Sequence, residues 1–248
     1  MLIKNARIDD HWVDLRIDLT VQAIGPQLEA MPDETMLDAR GGELLPGLYD
    51  HHMHLFAAAA AHESVDCNVS AGTLSQCRDL LATRLQQAGG SDWIRGVDYQ
   101  EQQVGELDRW RLDELCSTRP VRIQHRSGKV WVCNSLALQE LGFKDGDRID
   151  GLEVDSRGAL TGRIVRKDSL LAERMRRAKA NKPPDIAAYS RLLASYGIVG
   201  ITDTSASNTL DTRADFQYLS ASGDLLQQTV LMGGDDFDGG YLKILLDE

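Results

Sequence analysis

The chain has 248 residues, 42% of them hydrophobic, which is enough to bury a core in one large domain or two small ones. A formal charge of −11 at pH 7 repels phosphate backbones and anionic membrane surfaces at long range, so neither nucleic acid nor a membrane is expected as a partner. The apolar runs fall well short of the roughly 20 residues a membrane span requires. The start "MLIKNARIDD" has no apolar leader or cleavage site, and Cys67, Cys77, Cys116 and Cys133 show no CxxC spacing, so the sequence predicts reduced thiols and a cytoplasmic chain.

Residues 2–24 alternate short β-type runs with Asp-rich turns, the pattern of a hairpin or small antiparallel sheet. The apolar run Leu44 to Tyr49 then marks entry to a second unit. Between Ser70 and Ala88 the apolar positions Leu74, Cys77, Leu80, Leu81 and Leu85 follow helical spacing, closed by Gly89-Gly90. "WIRGVDY" and "RPVRIQHR" read as strands, and "NSLALQELG" as a short helix capped by Asn134. "DGDRIDGLEVDSRGALTG" reads as turn-forming, with a helix from about Val165 to Lys179 after it. "PPDIAAYSRLLASYG" predicts a helix with Pro184 near its start and Gly197 at its end. The strand "IVGITDTS", the helix "DTRADFQYLSASG" and the strands "QQTVLM" and "YLKILLDE" follow. Helices alternating with apolar strands in this last third predict βαβ units and a parallel sheet, with an exposed edge after Leu246.

Three of the six histidines, His51, His52 and His54, fall within four residues in "GGELLPGLYDHHMHLF". In a strand, residues two apart share a side, so His52 and His54 can converge on one point while His51 faces away. Two neutral imidazoles can grip a zinc-like ion whose other positions go to carboxylates, further histidines or water. Asp50 shares that side and can ligate or orient a ligand. On spacing alone, a satisfied surface or core pair accounts for His-x-His equally well.

The flanking residues carry more. "LPGLYDHHMHL" resembles the Pro-Gly-apolar-x-Asp-x-His-x-His signature of the amidohydrolase superfamily. "RPVRIQHRSGKVWVCNSLALQELG", "IDGLEVDSRGALTGRI", "YGIVGITDTS" and "YLKILLDE" are similar, in order, to segments of its family-3 branch. The resemblance implies an α/β fold with a partial (β/α) TIM-type barrel of about strands one to four. Residues 1–43 would supply a β-sandwich portion, and 44–248 an incomplete hydrolase barrel with an α/β insertion at about 90–185. "ELLPGLYDHHMHL" would be barrel strand one, and "GIVGITDTS", "QQTVLM" and "YLKILLDE" strands two to four.

The resemblance also implies a divalent metal, zinc by its ligand chemistry, as one or two ions held by His52 and His54. Lys243 matches the strand-four lysine that is carboxylated to bridge two metals, although a lysine snorkelling from a strand end accounts for it equally well. The implied reaction is hydrolysis of a carbon–nitrogen bond in a small amide-type substrate, by water activated on the metal. Nothing here matches the later histidines or the strand-eight general-base aspartate, so the resemblance implies an N-terminal half. The alternatives are a non-catalytic metal-binding or interaction module, and one part of a split hydrolase completed by a C-terminal chain or a homo-oligomer. Lys129 departs from the histidine usual in the branch's "SGH" and is a candidate pocket residue. The basic run "GRIVRKDSLLAERMRRAKANK" reads as a solvated helix face, and His62 and His125 as structural or surface residues.

Overall fold

The structure, a computed structural model, describes every residue except 71, 91, 181, 235–240 and 244–248. The chain opens with β1 (Leu2–Ile8), β2 (His11–Ile17), β3 (Val21–Gly25) and β4 (Met36–Asp38), in the spatial order β3-β2-β1-β4. β1 and β2 are joined at the Ile8–His11 pair by Asp9 and Asp10, both with positive φ (46° and 65°). Aspartate tolerates this left-handed backbone, which matches the twist of the flanking strands. Ile3, Ala6 and Leu15 bury the inner face. Buried Asp14 locks the sheet to its return loop by accepting from Lys4 Nζ (2.6 Å), Asn5 N–H (3.0 Å) and Leu28 N–H (2.9 Å).

β5 (Leu48–Met53), α1 (Leu55–His62) and β6 (Val65–Asp66) follow, then α2 (Leu74–Gln87). Thr73 and Gln76 close a capping box at the start of α2, and Cys77, Leu81 and Leu85 form its buried stripe. β7 (Ile94–Tyr99), α3 (Glu101–Val104), α4 (Arg109–Leu115), β8 (Val121–His125), β9 (Val130–Cys133) and α5 (Ser135–Glu140) come next. The buried Asn134 side chain caps α5 through Ala137 N–H at 2.9 Å, accepts from Val121 N–H at 3.0 Å and donates to Cys116 O and Arg119 O.

β10 (Leu152–Val154) and β11 (Leu160–Val165) pair antiparallel where the sequence suggests only turns. Leu160, Gly162 and Ile164 alternate inward, and a Cβ on Gly162 (φ +84°) would lie 2.3 Å from Cys133 O. The glycine thus marks a close backbone approach. Because Val165 belongs to this strand, α6 starts later than expected, at Asp168, and runs to Arg177. Together β10-β11-β9-β8-β7-β6 form a six-stranded mixed sheet, begun at Val65.

The last stretch is α7 (Ile186–Ser195), β12 (Ile198–Asp203), α8 (Leu210–Ser222), β13 (Gln228–Gly233) and β14 (Tyr241–Leu242). α7 is capped by Asp185, and α8 ends on Gly223 in the left-handed region. β5, β12, β13 and β14 form a parallel sheet in the order β14-β13-β12-β5. The chain is thus a mixed α/β protein, and its described strands form open sheets rather than a closed barrel. The part of "YLKILLDE" after Lys243, with the edge expected beyond Leu246, lies outside the described residues. All four cysteines are buried, and burial pushes the Cys67 and Cys133 thiols up to about 12. No described helix is long and apolar enough to cross a membrane.

Candidate metal centre

The Pro-Gly step before the histidines has a packing reason. Pro46 offers no N–H to a ladder, and a Cβ on Gly47 would lie 2.5 Å from the methyl carbons of Val199. The strand therefore begins at Leu48, shorter than the expected run from Glu43. The Tyr49 ring lies over Gly200, where a Cβ would come within 2.3 Å of it, and its hydroxyl donates to Ile201 O at 3.1 Å. His51 stacks on that ring with centroids 4.6 Å apart.

His52 lies on the opposite parity. The strand ends at Met53, and His54 already stands at the N-cap of α1, yet its ring meets His52 edge-on with centroids 5.7 Å apart. Both imidazoles are exposed. His54 Nδ1 meets Ser205 Oγ at 2.8 Å, a contact that orients the ring and leaves Nε2 for a ligand. The Asp50 carboxylate instead accepts from His52 N–H at 2.9 Å, so it braces the turn of the backbone rather than an imidazole. Its charge, after burial, helps hold the Tyr189 hydroxyl above the usual tyrosine range.

Asp203, the last residue of β12, organises this end of the sheet. It is 1% exposed and accepts from Leu55 N–H (2.7 Å), Ser205 N–H (3.0 Å) and Asn208 Nδ2 (2.9 Å). Asn208 also donates to Met232 O at 2.8 Å, and Thr204 N–H to Met53 O at 2.8 Å. The carboxyl ends of β5, β12 and β13 are thereby tied through one buried carboxylate, whose three donors replace the water it has lost. Sequence reasoning placed Asp203 in a strand and gave it no role. The available signal was an aspartate ending a buried β-branched run, with "SASN" after it to supply donors.

Lys243 follows β14 at this same end, its N–H donating to Gly233 O at 2.7 Å. Two strands separate β14 from β5, about 14 Å across a flat sheet, so a bridge to the histidine pair demands the curvature of a barrel wall. Lys129 is exposed at the tip of the β8–β9 hairpin, on the six-stranded sheet rather than beside the histidines. That hairpin is braced by His125, whose Nε2 meets Glu101 at 2.7 Å and whose Nδ1 meets Ser127 Oγ at 2.8 Å.

The donor chemistry of His52 and His54 fits a borderline metal such as zinc, but two imidazoles fill only half of a tetrahedral set. Among the described residues no group of three or more His, Cys, Asp or Glu side chains is placed to hold an ion.

Comparison with known proteins follows the same lines. Over 118 residues, 46% of this chain, the sequence is 30% identical to an N-substituted formamide deformylase of Arthrobacter pascens, of which the match covers 22%. The fold is similar to crystal structures of uncharacterised metal-dependent hydrolases from Pyrococcus horikoshii and Pyrococcus furiosus, with TM-scores of 0.62 and 0.61, both at 18% identity. Each likeness covers 94% of this chain, which spans about half of those proteins, 48% and 49% respectively. The model of the amidohydrolase family matches residues 35–229, most of the sequence. By that match the chain belongs to the amidohydrolase family.

Proposed function

We propose that this chain serves the metal-dependent hydrolysis of a carbon–nitrogen bond in a small, non-peptide amide, with N-substituted formamides the first substrates to try. The observation that carries this reading is the pair of exposed imidazoles, 5.7 Å apart, at the carboxyl end of the first strand of a parallel sheet. In open parallel α/β sheets and barrels, that end is where ligands bind. In this reading residues 1–43 form part of a β-sandwich, 44–248 hold part of a (β/α) barrel, and about 90–185 are an insertion.

His52 and His54 would hold the ion through ring nitrogens, and Lys243 is a candidate bridge if the sheet curves toward closure. Bound there, a divalent metal, zinc by donor type, supplies Lewis acidity and a water acidified to about pKa 7. The protein's own part is positional. Ser205 fixes the His54 ring, and Asp203 fixes the turn that carries it. The remaining ligands and the general base are matched to no described residue. The two-donor count favours a second reading, a metal-binding module that turns nothing over by itself.

Elemental analysis of the purified chain, paired with turnover of N-substituted formamides and N-acyl amides, separates the readings. The proposal expects bound transition metal that falls at least 100-fold in affinity in the H52A/H54A double variant, which keeps its fold by circular dichroism. Metal retained at full stoichiometry by that variant refutes the ligand assignment. Metal bound by the wild-type chain without turnover selects the second reading.

A further inference from the structure

At the far end of α1, against the amino ends of β7 and β8, lies a cavity of about 680 Å3. Arg95 and Arg122 both line it. They are directly opposed partners in the parallel β7–β8 ladder, so two guanidinium groups leave the same face side by side. Like charges in that arrangement are destabilising.

Both guanidinium groups lie over the Trp131 ring, with Cζ 5.5 Å and 5.0 Å from its centroid. Arg95 has one described hydrogen bond, to Ser64 Oγ at 2.7 Å. Arg122 has none, and neither arginine joins any described ion pair. Burial, and then the charge of Arg95, holds Arg122 down at about 10.

Of the other charged residues on the wall, which include Asp92, Lys179 and Lys182, three are engaged elsewhere. Glu63 accepts from Asp185 N–H at 2.5 Å and Glu140 from Trp93 Nε1 at 2.7 Å. Arg119 spends its donors on the carbonyls of Ala88, Gly89 and Asp92. A pair of stacked, partly desolvated guanidinium forks without a carboxylate partner, facing a cavity of ligand size, has the chemistry of an oxyanion clamp.

We propose that this cavity binds a small oxyanion, the phosphate or carboxylate group of a low-molecular-weight ligand, between Arg95 and Arg122. The site is separate from the histidine pair, since α1 runs between them from its cap at His54 to Glu63, a rise of about 13 Å.

The test is calorimetric titration of the full chain with inorganic phosphate, with succinate and with chloride at matched ionic strength. The expected result is saturable binding near one equivalent for an oxyanion and none for chloride. The oxyanion that saturates at the lower concentration identifies the source as phosphate or carboxylate. Arg95→Gln and Arg122→Gln should abolish saturation, and Arg122→Lys, which keeps the charge but loses the fork, should weaken it about tenfold or more. The H52A/H54A variant should bind the oxyanion as the wild type does, which keeps this site distinguishable from the metal reading. Chloride matching both oxyanions overturns the proposal. So does undiminished binding by Arg122→Lys, which decides the matter if either glutamine variant fails to fold.

Discussion

The six-stranded sheet buries its faces in aliphatic side chains, including Leu81, Ile123 and Val132 in one cluster and Leu138 and Ile164 in a second. The parallel sheet that carries the histidines has a single cluster among the described residues, around Met53, Leu55, Ile201 and Phe216. It leaves Leu48, Val199 and Leu226 more than half exposed. Parallel sheets are ordinarily covered on both faces, so this one leans more on polar ties. Asp203 and Asn208 bind its carboxyl end. At the other end, buried Gln227 donates to Ser190 O and Ile198 O, both at 3.1 Å. The comparison teaches that the sheet nearest the candidate chemistry adds directional bonds at both of its ends to one apolar cluster, while its neighbour, which also holds the buried Asn134 network, rests on two. Functional regions are commonly drawn from the less stable part of a fold.

Ile123→Ala should give the largest loss, about 2–5 kcal/mol in urea denaturation, because a fully buried side chain leaves a cavity. A loss below about 1 kcal/mol would break the contrast, since the six-stranded sheet could not then depend on packing. Asp203→Ala should cost about 2–3 kcal/mol by stranding the donors of Leu55, Ser205 and Asn208. Hydrogen exchange sharpens this one: the Leu55 and Thr204 amides should exchange faster while β7 and β8 stay protected, and uniform acceleration would mean that the two sheets open together.

Gly200→Ala should cost about 1–3 kcal/mol in thermal or urea unfolding, because the new methyl must displace the Tyr49 ring. An unchanged midpoint would show that β5 and β12 are looser than their packing implies. The smallest effect falls in the N-terminal sheet, a reference for both others. Its Asp14 carboxyl is lowered from 3.8 to about 2, first by the hydrogen bond from Lys4 and then by Leu28 N–H. A folded-state value below the unfolded one adds stability above about pH 4 that disappears as pH falls toward 2. Lys4→Met should shrink this acid limb in a pH series of melting curves, and an identical limb in the variant would remove Asp14 as its cause.

Much of the order of elements was legible in the sequence, because helical periodicity and caps are local. The stripe of α2, the Asn134 cap and the Asp203-ending strand β12 are readable within a few residues. The β10–β11 hairpin was not, because its Gly- and Asp-rich composition imitates a loop. Its strands are fixed by pairing with β9 and by the approach of Gly162 to Cys133, both distant in sequence.

The histidine site divides along the same line. Strand parity and the flanking motif marked His52 and His54 and turned His51 away, since those relations arise within a few bonds of one another. Only the tertiary structure decided that Asp50 braces a backbone turn, that Ser205 orients His54 from about 150 residues away, and that Asp203 ties three strand ends. It also set Lys129 on a different sheet and Arg95 beside Arg122. The physical reason is that partner choice for a buried polar group depends on which donors and acceptors the packed sheets bring within about 3 Å. No local pattern in the chain encodes that distance.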